Sequence, residues 1–296
     1  MINPFFSIII PTFNRSHSLE NVISSIFEQT FESWEIIIVD DGGDQAKTLK
    51  VLSKFDDHRL RYFWKKNEER SIARNYGFHN CEGRYVIPLD SDDQILPGHL
   101  EKIFESTRHS GELEFFHTSF IIDDPLRKRS QIVGPYKVDE ITSRIIYENI
   151  FAIGAAAIRR DIACLLPFPE SSDAIHGEDW FFYLRIFARY QVQWVDSPSF
   201  VYIVHSQSSV NNIDPDRFRR SYDIILTEVL SDDAIRDHFG PFKFRTMIGY
   251  QTLGVALQFL ICDKRQARKS FLYVIKALKF APWLITNRRF FFVLRS

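Results

Sequence analysis

Residues 85–93 read Tyr85-Val86-Ile87-Pro88-Leu89-Asp90-Ser91-Asp92-Asp93, an apolar run followed at once by three carboxylates. The apolar run predicts a buried strand, and carboxylates crowded at its end repel one another and resist ionising together. A divalent cation removes that cost, because hard oxygen ligands suit Mg²⁺ or Mn²⁺ and the remaining metal positions suit phosphate oxygens. The stretch therefore indicates either a metal–diphosphate site or an acidic, helix-capping loop on the surface.

The first 120 residues alternate strand and helix patterns, which is typical of a parallel sheet with helices on its faces. Ligands of such sheets bind outside the carboxyl ends of the strands. Three polar clusters fall at predicted strand ends, and their coincidence favours a ligand site over a surface loop. The clusters are Pro11-Thr12-Phe13-Asn14-Arg15, Asp40-Asp41-Gly42-Gly43 and Asp90-Ser91-Asp92-Asp93.

The remainder of the chain is less regular up to about residue 210 and has a helical pattern after Asp214. Within the irregular part, Gly154-Ala155-Ala156-Ala157-Ile158 predicts a strand of small residues, to which a backbone or a ligand can come close. These patterns predict a first domain over residues 1–212 and a helical C-terminal region over residues 213–296.

Composition sets the broad class of the protein. The chain has 296 residues, 45% of them hydrophobic, and a net charge of −1, so no global charge signal points to nucleic acid. Three scattered cysteines indicate neither a disulfide framework nor a metal-binding pair. No apolar stretch reaches the roughly 18–20 residues of a transmembrane helix, and the N-terminus lacks the basic region of a signal peptide. We therefore expect a cytoplasmic protein.

The C-terminal segment, residues 264–296, carries nine Lys/Arg and no Asp or Glu, interleaved with Phe, Leu, Ile and Trp. A basic amphipathic segment of this kind can lie in the interface of an anionic bilayer. The alternative is an ordinary pair of helices packed on the domain with their cations in water. We expect peripheral contact with an anionic membrane, at the inner face of the plasma membrane.

Four further side chains are candidates on local grounds. Arg74 lies on a helix of small and apolar residues, where it can bind a diphosphate or form a surface salt bridge. Asp41 can accept hydrogen bonds from a nucleobase or end a turn. Asp179 follows Gly177 at a helix N-terminus, where it can act as a general base or as a cap. His205 follows a predicted strand, and it can ligate a metal or have a structural role only.

Five motifs together resemble the ordered motif set of the glycosyltransferase family 2 enzymes, over about residues 5–210. The resemblance implies the GT-A fold, an α/β architecture in which helices flank a Rossmann-like mixed sheet, with a C-terminal helical extension. Asp90-Ser91-Asp92 would be the DxD motif of the family. The motifs are Pro11-Thr12-Phe13-Asn14-Arg15, Val39-Asp40-Asp41-Gly42-Gly43-Asp44, Ala73-Arg74-Asn75, Leu89-Asp90-Ser91-Asp92-Asp93 and Gly177-Glu178-Asp179.

The resemblance also implies a role for each matching residue. Asp179 is the expected general base, with Glu178 and Trp180 beside it on the acceptor side. Asp92 is the expected ligand of Mn²⁺ or Mg²⁺, and the local pattern adds His205 as a second. The remaining positions are expected to hold the nucleotide sugar, and they are Pro11, Thr12, Phe13, Arg15, Asp41, Arg74, Asp90 and Ser91.

The implied function is metal-dependent, inverting transfer of a sugar from a nucleoside-diphosphate sugar to a hydroxyl of a saccharide or lipid-linked acceptor, in envelope polysaccharide assembly. Two alternatives stay open. A nucleotidyltransferase shares the sheet and the carboxylates, but it ordinarily has a glycine-rich basic loop where residues 11–15 stand. The second alternative is a non-catalytic protein that binds nucleotide sugars or acts as a scaffold. The presence of Asp90, Asp92 and Asp179 together favours an enzyme over this alternative.

Overall fold

Nine strands form one sheet in the computed structural model, which describes residues 3–110, 113–205, 213–262, 266–287 and 290. The strands are β1 (Phe6–Thr12), β2 (Trp34–Asp41), β3 (Leu60–Lys65), β4 (Tyr85–Pro88), β5 (Gln94–Ile95), β6 (Phe115–Asp124), β7 (Arg129–Val133), β8 (Ala156–Arg159) and β9 (Val192–Ile203). Their order across the sheet is β3-β2-β1-β4-β8-β6-β9-β5, and β7 also pairs with β6.

Ten helices accompany the sheet within the described ranges. They are α1 (Ser16–Phe27), α2 (Gln45–Leu52), α3 (Arg70–Asn80), α4 (His99–Ser110), α5 (Val138–Arg144), α6 (Arg160–Leu165), α7 (Glu178–Phe187), α8 (Pro215–Ser231), α9 (Asp233–Cys262) and α10 (Ala267–Phe280).

The chain divides into two compact units. The first, built from residues 1–137, 151–172 and 190–206, holds the whole sheet with α1–α4 and α6. The second, built from residues 138–150, 173–189 and 207–296, holds α5 and α7–α10. The predicted domain boundary falls beside residue 212, which lies outside the described residues, so the division into 1–212 and 213–296 stays a prediction.

The sheet of the first unit is mixed, as predicted. β1 pairs in parallel with β2 and β4, and β2 pairs in parallel with β3, so the carboxyl ends of these four strands share one edge. β8 is antiparallel to both β4 and β6, whereas β6 and β9 are parallel. Every residue of β1 and β2 is buried, because an inner parallel strand has helices over both of its faces.

Close packing of α3 on β1 positions one predicted site residue. A Cβ atom on Gly77 would lie 2.2 Å from Cγ2 of Ile9, so only a glycine lets the helix come this near to the strand. Arg74 lies one helical turn before Gly77 and is 1% exposed. The tight contact therefore buries Arg74 beside the carboxyl ends of the strands.

The small-residue segment at 154–158 differs from its prediction in its first two residues. Ile153–Ala155 forms a 3₁₀ turn, and the strand begins only at Ala156. A Cβ atom on Gly154 would lie 2.3 Å from the ring of Phe200 and 2.7 Å from Leu89. The close approach that the small residues allow is thus made by side chains of the core.

The second unit is helical. Asp214 caps α8 by accepting a hydrogen bond from the backbone N–H of Arg217 at 2.6 Å. Gly240 interrupts α9 with a φ of +68°, a conformation that favours glycine. The predicted C-terminal helical extension is confirmed in the described part of the chain. None of the helices described there has both the length and the apolar character needed to cross a membrane.

Candidate active site

The three carboxylates after β4 gather in one cluster. Asp90, Asp92 and Asp93 each bring one carboxylate oxygen within 4.8 Å of the others. Asp93 is almost fully buried, and its Oδ1 accepts a hydrogen bond from the backbone N–H of Ile203 at 3.0 Å. The next helix, α4, begins only at His99. The segment is therefore a strand-end cluster rather than a helix-capping loop.

Cationic and imidazole side chains surround this cluster. Arg74 Nη2 donates to Asp90 Oδ1 at 2.5 Å from its buried place on α3. Arg15, in the loop after β1, donates through Nη1 to Asp92 Oδ2. His205 Nε2 lies 2.7 Å from that same oxygen. Three separate segments of the first unit thus converge on the acidic cluster, and all of these residues except Asp93 were predicted site residues.

The carboxylates differ in how they ionise. Burial opposes the charge of Asp90, but the guanidinium groups of Arg74 and Arg70 outweigh burial and hold the pKa of Asp90 below its usual value. Burial, reinforced by the charge of Asp90, raises the pKa of Asp93 well above its usual value. Burial, together with the charge of Arg15, lowers the pKa of His205, so its imidazole is held in the neutral form that can ligate a metal.

The donor set fits a hard divalent cation. Two or three carboxylate oxygens and a neutral imidazole nitrogen are ligands that Mn²⁺ accepts, and the oxygens alone suit Mg²⁺. Asp92 is the best placed of the three carboxylates, because it is the member that touches His205. Asp93 is the least suited, since its oxygen is bound to a backbone amide and its pKa is raised.

A hydrogen bond joins the loops after β1 and β2, because Asn14 Oδ1 accepts from the backbone N–H of Asp44 at 2.9 Å. Within the second loop, Asp40 Oδ1 accepts from the backbone N–H of Gly43 at 2.8 Å. A Cβ atom on Gly43 would lie 2.7 Å from Asp40 Oδ1 and 2.8 Å from the backbone nitrogen of Asn14. Glycine at this position therefore keeps the two loops in contact.

Predicted nucleotide-binding residues line this pair of loops. Pro11 and Thr12 are buried at the end of β1, whereas the ring of Phe13 is 48% exposed, which leaves a flat apolar face open beside the strand ends. Asp41 is buried, and its Oδ1 accepts from Lys65 Nζ at 2.8 Å. Ser91 is also buried, within the acidic cluster.

Several residues at this edge were missed by the sequence analysis. Lys65 pairs with Asp41, and its hydrogen bonds to Asp41 and Glu68 raise its pKa although burial opposes this. Tyr62 donates to Asp40 Oδ2 at 3.0 Å, and burial, followed by the charge of Asp40, raises its pKa. Both belong to β3, which lies in register with β2, since Asp41 is opposite Lys65. The strand-end argument applied to β3 would have found them.

Arg74 is held from behind by Phe168. The guanidinium carbon of Arg74 lies 5.0 Å from the centre of the Phe168 ring, in a cation–π contact. Asn75, the next residue of α3, makes a reciprocal pair with the backbone of Phe168, donating to its O and accepting from its N–H, both at 2.9 Å. Asn75 therefore fixes the ring that packs on Arg74. No local pattern connects residues 93 positions apart.

The second unit holds the predicted acceptor-side residues. Asp179 lies in the first turn of α7, where Oδ2 accepts from Asn149 Nδ2 at 2.9 Å and Oδ1 from the backbone N–H of Trp180 at 2.8 Å. Glu178 and Trp180 are buried, and the indole N–H of Trp180 donates to the backbone O of Ile145 at 2.7 Å. Of the two carboxylates Glu178 and Asp179, only Asp179 is partly exposed, and the hydrogen bonds from Asn149 and from the Trp180 backbone fix its orientation.

Comparison with known proteins identifies the family. The model of the family described as Glycosyl transferase family 2 matches residues 7–164, which is more than half of the chain. The chain belongs to glycosyl transferase family 2. The predicted family is confirmed, and so is the transferase class that it implies.

Relatives of known sequence agree with this membership. The chain is 28% identical to the UDP-Glc:alpha-D-GlcNAc-diphosphoundecaprenol beta-1,3-glucosyltransferase WfgD of Escherichia coli, over 74% of this chain and 84% of that protein. It spans only 45% and 42% of the length of two uncharacterized glycosyltransferases from Rickettsia, to which it is 27% identical.

The solved structures have the predicted GT-A fold. S. aureus TarS in complex with UDP-GlcNAc superposes with a TM-score of 0.66 at 19% identity, over 93% of this chain and 80% of that one. The mannosyltransferase PcManGT from Pyrobaculum calidifontis, in complex with GDP-Man and Mn²⁺, superposes with a TM-score of 0.58 at 12% identity, over 99% and 84%. These likenesses confirm the fold of this family 2 chain.

Two asparagines of α3 test how the Arg74 position is built. Both donate through Nδ2 to a backbone carbonyl, but Asn75 reaches Phe168 from a buried place whereas Asn80 bonds within its own helix to Tyr76. Asn75→Ala removes both buried hydrogen bonds to the backbone of Phe168, so we expect its free energy of unfolding in urea to fall by about 1–3 kcal/mol. Asn80→Ala is the matched control and should change it by less than about 0.5 kcal/mol. Equal losses in the two variants would contradict this role of Asn75.

Proposed function

We propose that this chain is an inverting, metal-dependent glycosyltransferase that moves a sugar from a nucleoside-diphosphate sugar to a hydroxyl of a saccharide or lipid-linked saccharide, in polysaccharide biosynthesis. The observation that carries the proposal is the cluster of Asp90, Asp92 and Asp93 at the strand ends, with Arg15 and Arg74 bound to it. The similarity to WfgD, named for a UDP-glucose donor and a diphosphoundecaprenol-linked acceptor, supports a nucleotide-sugar donor and a lipid-linked acceptor. Family membership argues against the nucleotidyltransferase alternative.

The donor is held by the loops at the end of the sheet. The exposed ring of Phe13, between buried Thr12 and Asn14, would stack on the base. Asp41 lies on the neighbouring strand and would accept hydrogen bonds from the edge of the base. Asp90 would bind the ribose, with Ser91 beside it as a further nucleotide-sugar-binding residue. Arg74, held by Phe168, supplies a fixed positive charge for the diphosphate.

Asp92 and His205 would hold the cation, and the same carboxylate of Asp92 also accepts a hydrogen bond from Arg15. When bound, Mn²⁺ or Mg²⁺ would supply Lewis-acid neutralisation of the charge on the departing diphosphate. Arg15 and Arg74 add two permanent positive charges, so side chains of the protein also stabilise the negative charge that develops on the departing nucleoside diphosphate.

Asp179 acts as the general base. It takes the proton of the acceptor hydroxyl as the oxygen forms its bond to the anomeric carbon, and the bond from that carbon to the diphosphate oxygen breaks with its electron pair on the nucleotide. A single displacement of this kind inverts the anomeric configuration. Asn149 and the backbone of Trp180 hold the carboxylate in one orientation for the transfer.

Two carboxylate variants separate donor binding from transfer. Asp92→Ala should weaken binding of the preferred nucleotide among UDP, GDP and dTDP at least about tenfold with Mn²⁺ present, and little without it. Asp179→Asn should leave that binding intact but reduce kcat at least about 100-fold, because it removes the base and keeps the side-chain shape. Calorimetry measures the first effect and release of nucleoside diphosphate the second.

Each variant has a control substitution at another carboxylate of the same unit. Asp56→Ala removes an exposed carboxylate of the first unit, and Asp173→Asn removes one paired with Arg220 in the second. Both should behave as wild type. Turnover by Asp179→Asn within about threefold of wild type would contradict the assignment of the base, and metal-independent nucleotide binding would contradict that of Asp92.

We also propose that α10 contacts an anionic membrane surface. Phe271 and Leu272 are 57% and 60% exposed there, and the same helix exposes Arg268 and Lys279. Apolar side chains next to exposed cations suit an interface of anionic lipid. Of the C-terminal segment named above, residues 264, 265, 288, 289 and 291–296 lie outside the described residues.

Vesicle sedimentation tests the membrane proposal. The protein should sediment with phosphatidylglycerol vesicles and not with phosphatidylcholine vesicles, because attraction to anionic lipid supplies part of the binding. Phe271→Ser combined with Leu272→Ser should lower recovery, whereas Leu165→Ser, at an exposed leucine of the first unit, should not. The same recovery with both lipids, or an unaffected double variant, would contradict the contact.

A further inference from the structure

A cavity of about 310 Å³ lies entirely within the second unit. Its walls come from the N-terminal end of α7, residues 147–149, α8 and α9, and Asp179 is one of the wall residues. Small-molecule sites generally measure about 300–1,000 Å³, so this cavity has room for one small ligand. The ligand would lie directly against the carboxylate proposed as the base.

The cavity walls combine aromatic rings with amides. Phe218 and Tyr222 line it from α8, and Gln251 and Gln258 line it from α9. The face of an aromatic ring is electron-rich and packs against the weakly positive C–H groups of a sugar ring. Amide side chains both donate and accept hydrogen bonds, as sugar hydroxyls do. This pairing of surfaces matches a pyranose.

The charges of the cavity disfavour an anionic ligand. Glu148 and Asp179 both line it, and among its described wall residues there is no Lys, Arg or His. Arg144, outside the wall, pairs with Glu148 at 2.7 Å, but a phosphate or diphosphate in the cavity would still meet the carboxylate of Asp179 with no cation in the wall. A neutral ring meets no such repulsion, and the carboxylates accept hydrogen bonds from its hydroxyls.

The aromatic wall is formed before any ligand binds. The rings of Phe218 and Tyr222 stack with their centres 4.5 Å apart and their planes at 28°, one turn apart on α8. A Cβ atom on Gly177 would lie 3.3 Å from Tyr222 Cζ, and the φ of Gly177 is +81°, so glycine lets the start of α7 lie against the ring. The stacked rings and Asp179, two residues beyond Gly177, are thereby held in one wall.

We propose that this cavity binds the neutral sugar ring of the acceptor, packed against the Phe218–Tyr222 pair and hydrogen-bonded by Gln251 and Gln258, with one hydroxyl at Asp179. The inference rests on the proposed function and deepens it. It makes α8 and α9 the elements that choose the acceptor, and it assigns recognition to the sugar rather than to any phosphate that the acceptor carries.

Binding of simple glycosides tests the cavity without any donor. Saturation-transfer NMR with the methyl glycosides of glucose, galactose, mannose, N-acetylglucosamine and N-acetylgalactosamine should find at least one ligand of the wild-type chain. Tyr222→Ala should raise its Kd at least about tenfold, whereas Tyr222→Phe, which keeps the ring, should stay within about threefold. Gln258→Leu conserves the volume and should weaken binding as well. Tyr76→Ala, at an exposed tyrosine of the first unit, is the control.

Each outcome decides the inference. It is overturned if no glycoside binds, if inorganic diphosphate displaces the bound glycoside, or if Tyr222→Ala and Gln258→Leu both bind as wild type does. If Tyr222→Ala does not fold, Gln258→Leu alone decides. Nucleotide binding with Mn²⁺, measured on the same variants, should stay at the wild-type value. Failure of the proposed function would instead appear as absent nucleotide binding or transfer, with the glycoside results unchanged.

Discussion

The site of this family 2 chain depends on one constraint, which is that the negative charges of three crowded carboxylates must be balanced. Asp90 is balanced by the charge of Arg74 and Asp92 by that of Arg15, whereas buried Asp93 accepts from a backbone N–H and has a raised pKa. Carboxylates left unpaired so close together would destabilise the fold. The cations come from α3 and from the loop after β1, so the charges that hold the cluster also hold these segments at the ends of the strands.

The same constraint explains packing at some distance from the cluster. Gly77 lets α3 lie on Ile9, and Asn75 ties that helix to the backbone of Phe168, whose ring packs on Arg74. Gly43 has a similar place between the loops after β1 and β2. The two glycines act by permitting a close approach of neighbouring segments, and Asn75 acts through its hydrogen bonds to the backbone. A guanidinium buried to 99% of its surface needs such support, because it cannot lose its charge.

The sequence predicted what is local in the chain. The apolar strands and the polar clusters at their ends follow from periodicity and from turn residues, and the structure brings Arg15, Arg74, Asp90, Asp92 and His205 together. The start of the small-residue strand was placed two residues too early, because local pattern does not show that Phe200 and Leu89 fill the space at Gly154.

Features of the site that depend on contacts between distant segments could not be predicted from the sequence. Phe168 and Asn149 reach their partners across 93 and 30 positions of the chain, and neither has a motif of its own. Lys65 differs from them, because register with Asp41 follows once β3 is known to lie beside β2. The helical end was predicted as helix, but its cavity needs the crossing of α8, α9 and the start of α7, which no periodicity encodes.

The central claim is that the cluster after β4 holds a divalent cation with a nucleoside diphosphate. Anomalous diffraction at the manganese edge, from crystals grown with Mn²⁺ and the preferred nucleotide, tests it most directly. The account predicts one strong peak within bonding distance of Asp92, with the diphosphate beside Arg74. A bound nucleotide with no manganese peak at Asp92, or a peak away from the cluster, would contradict it.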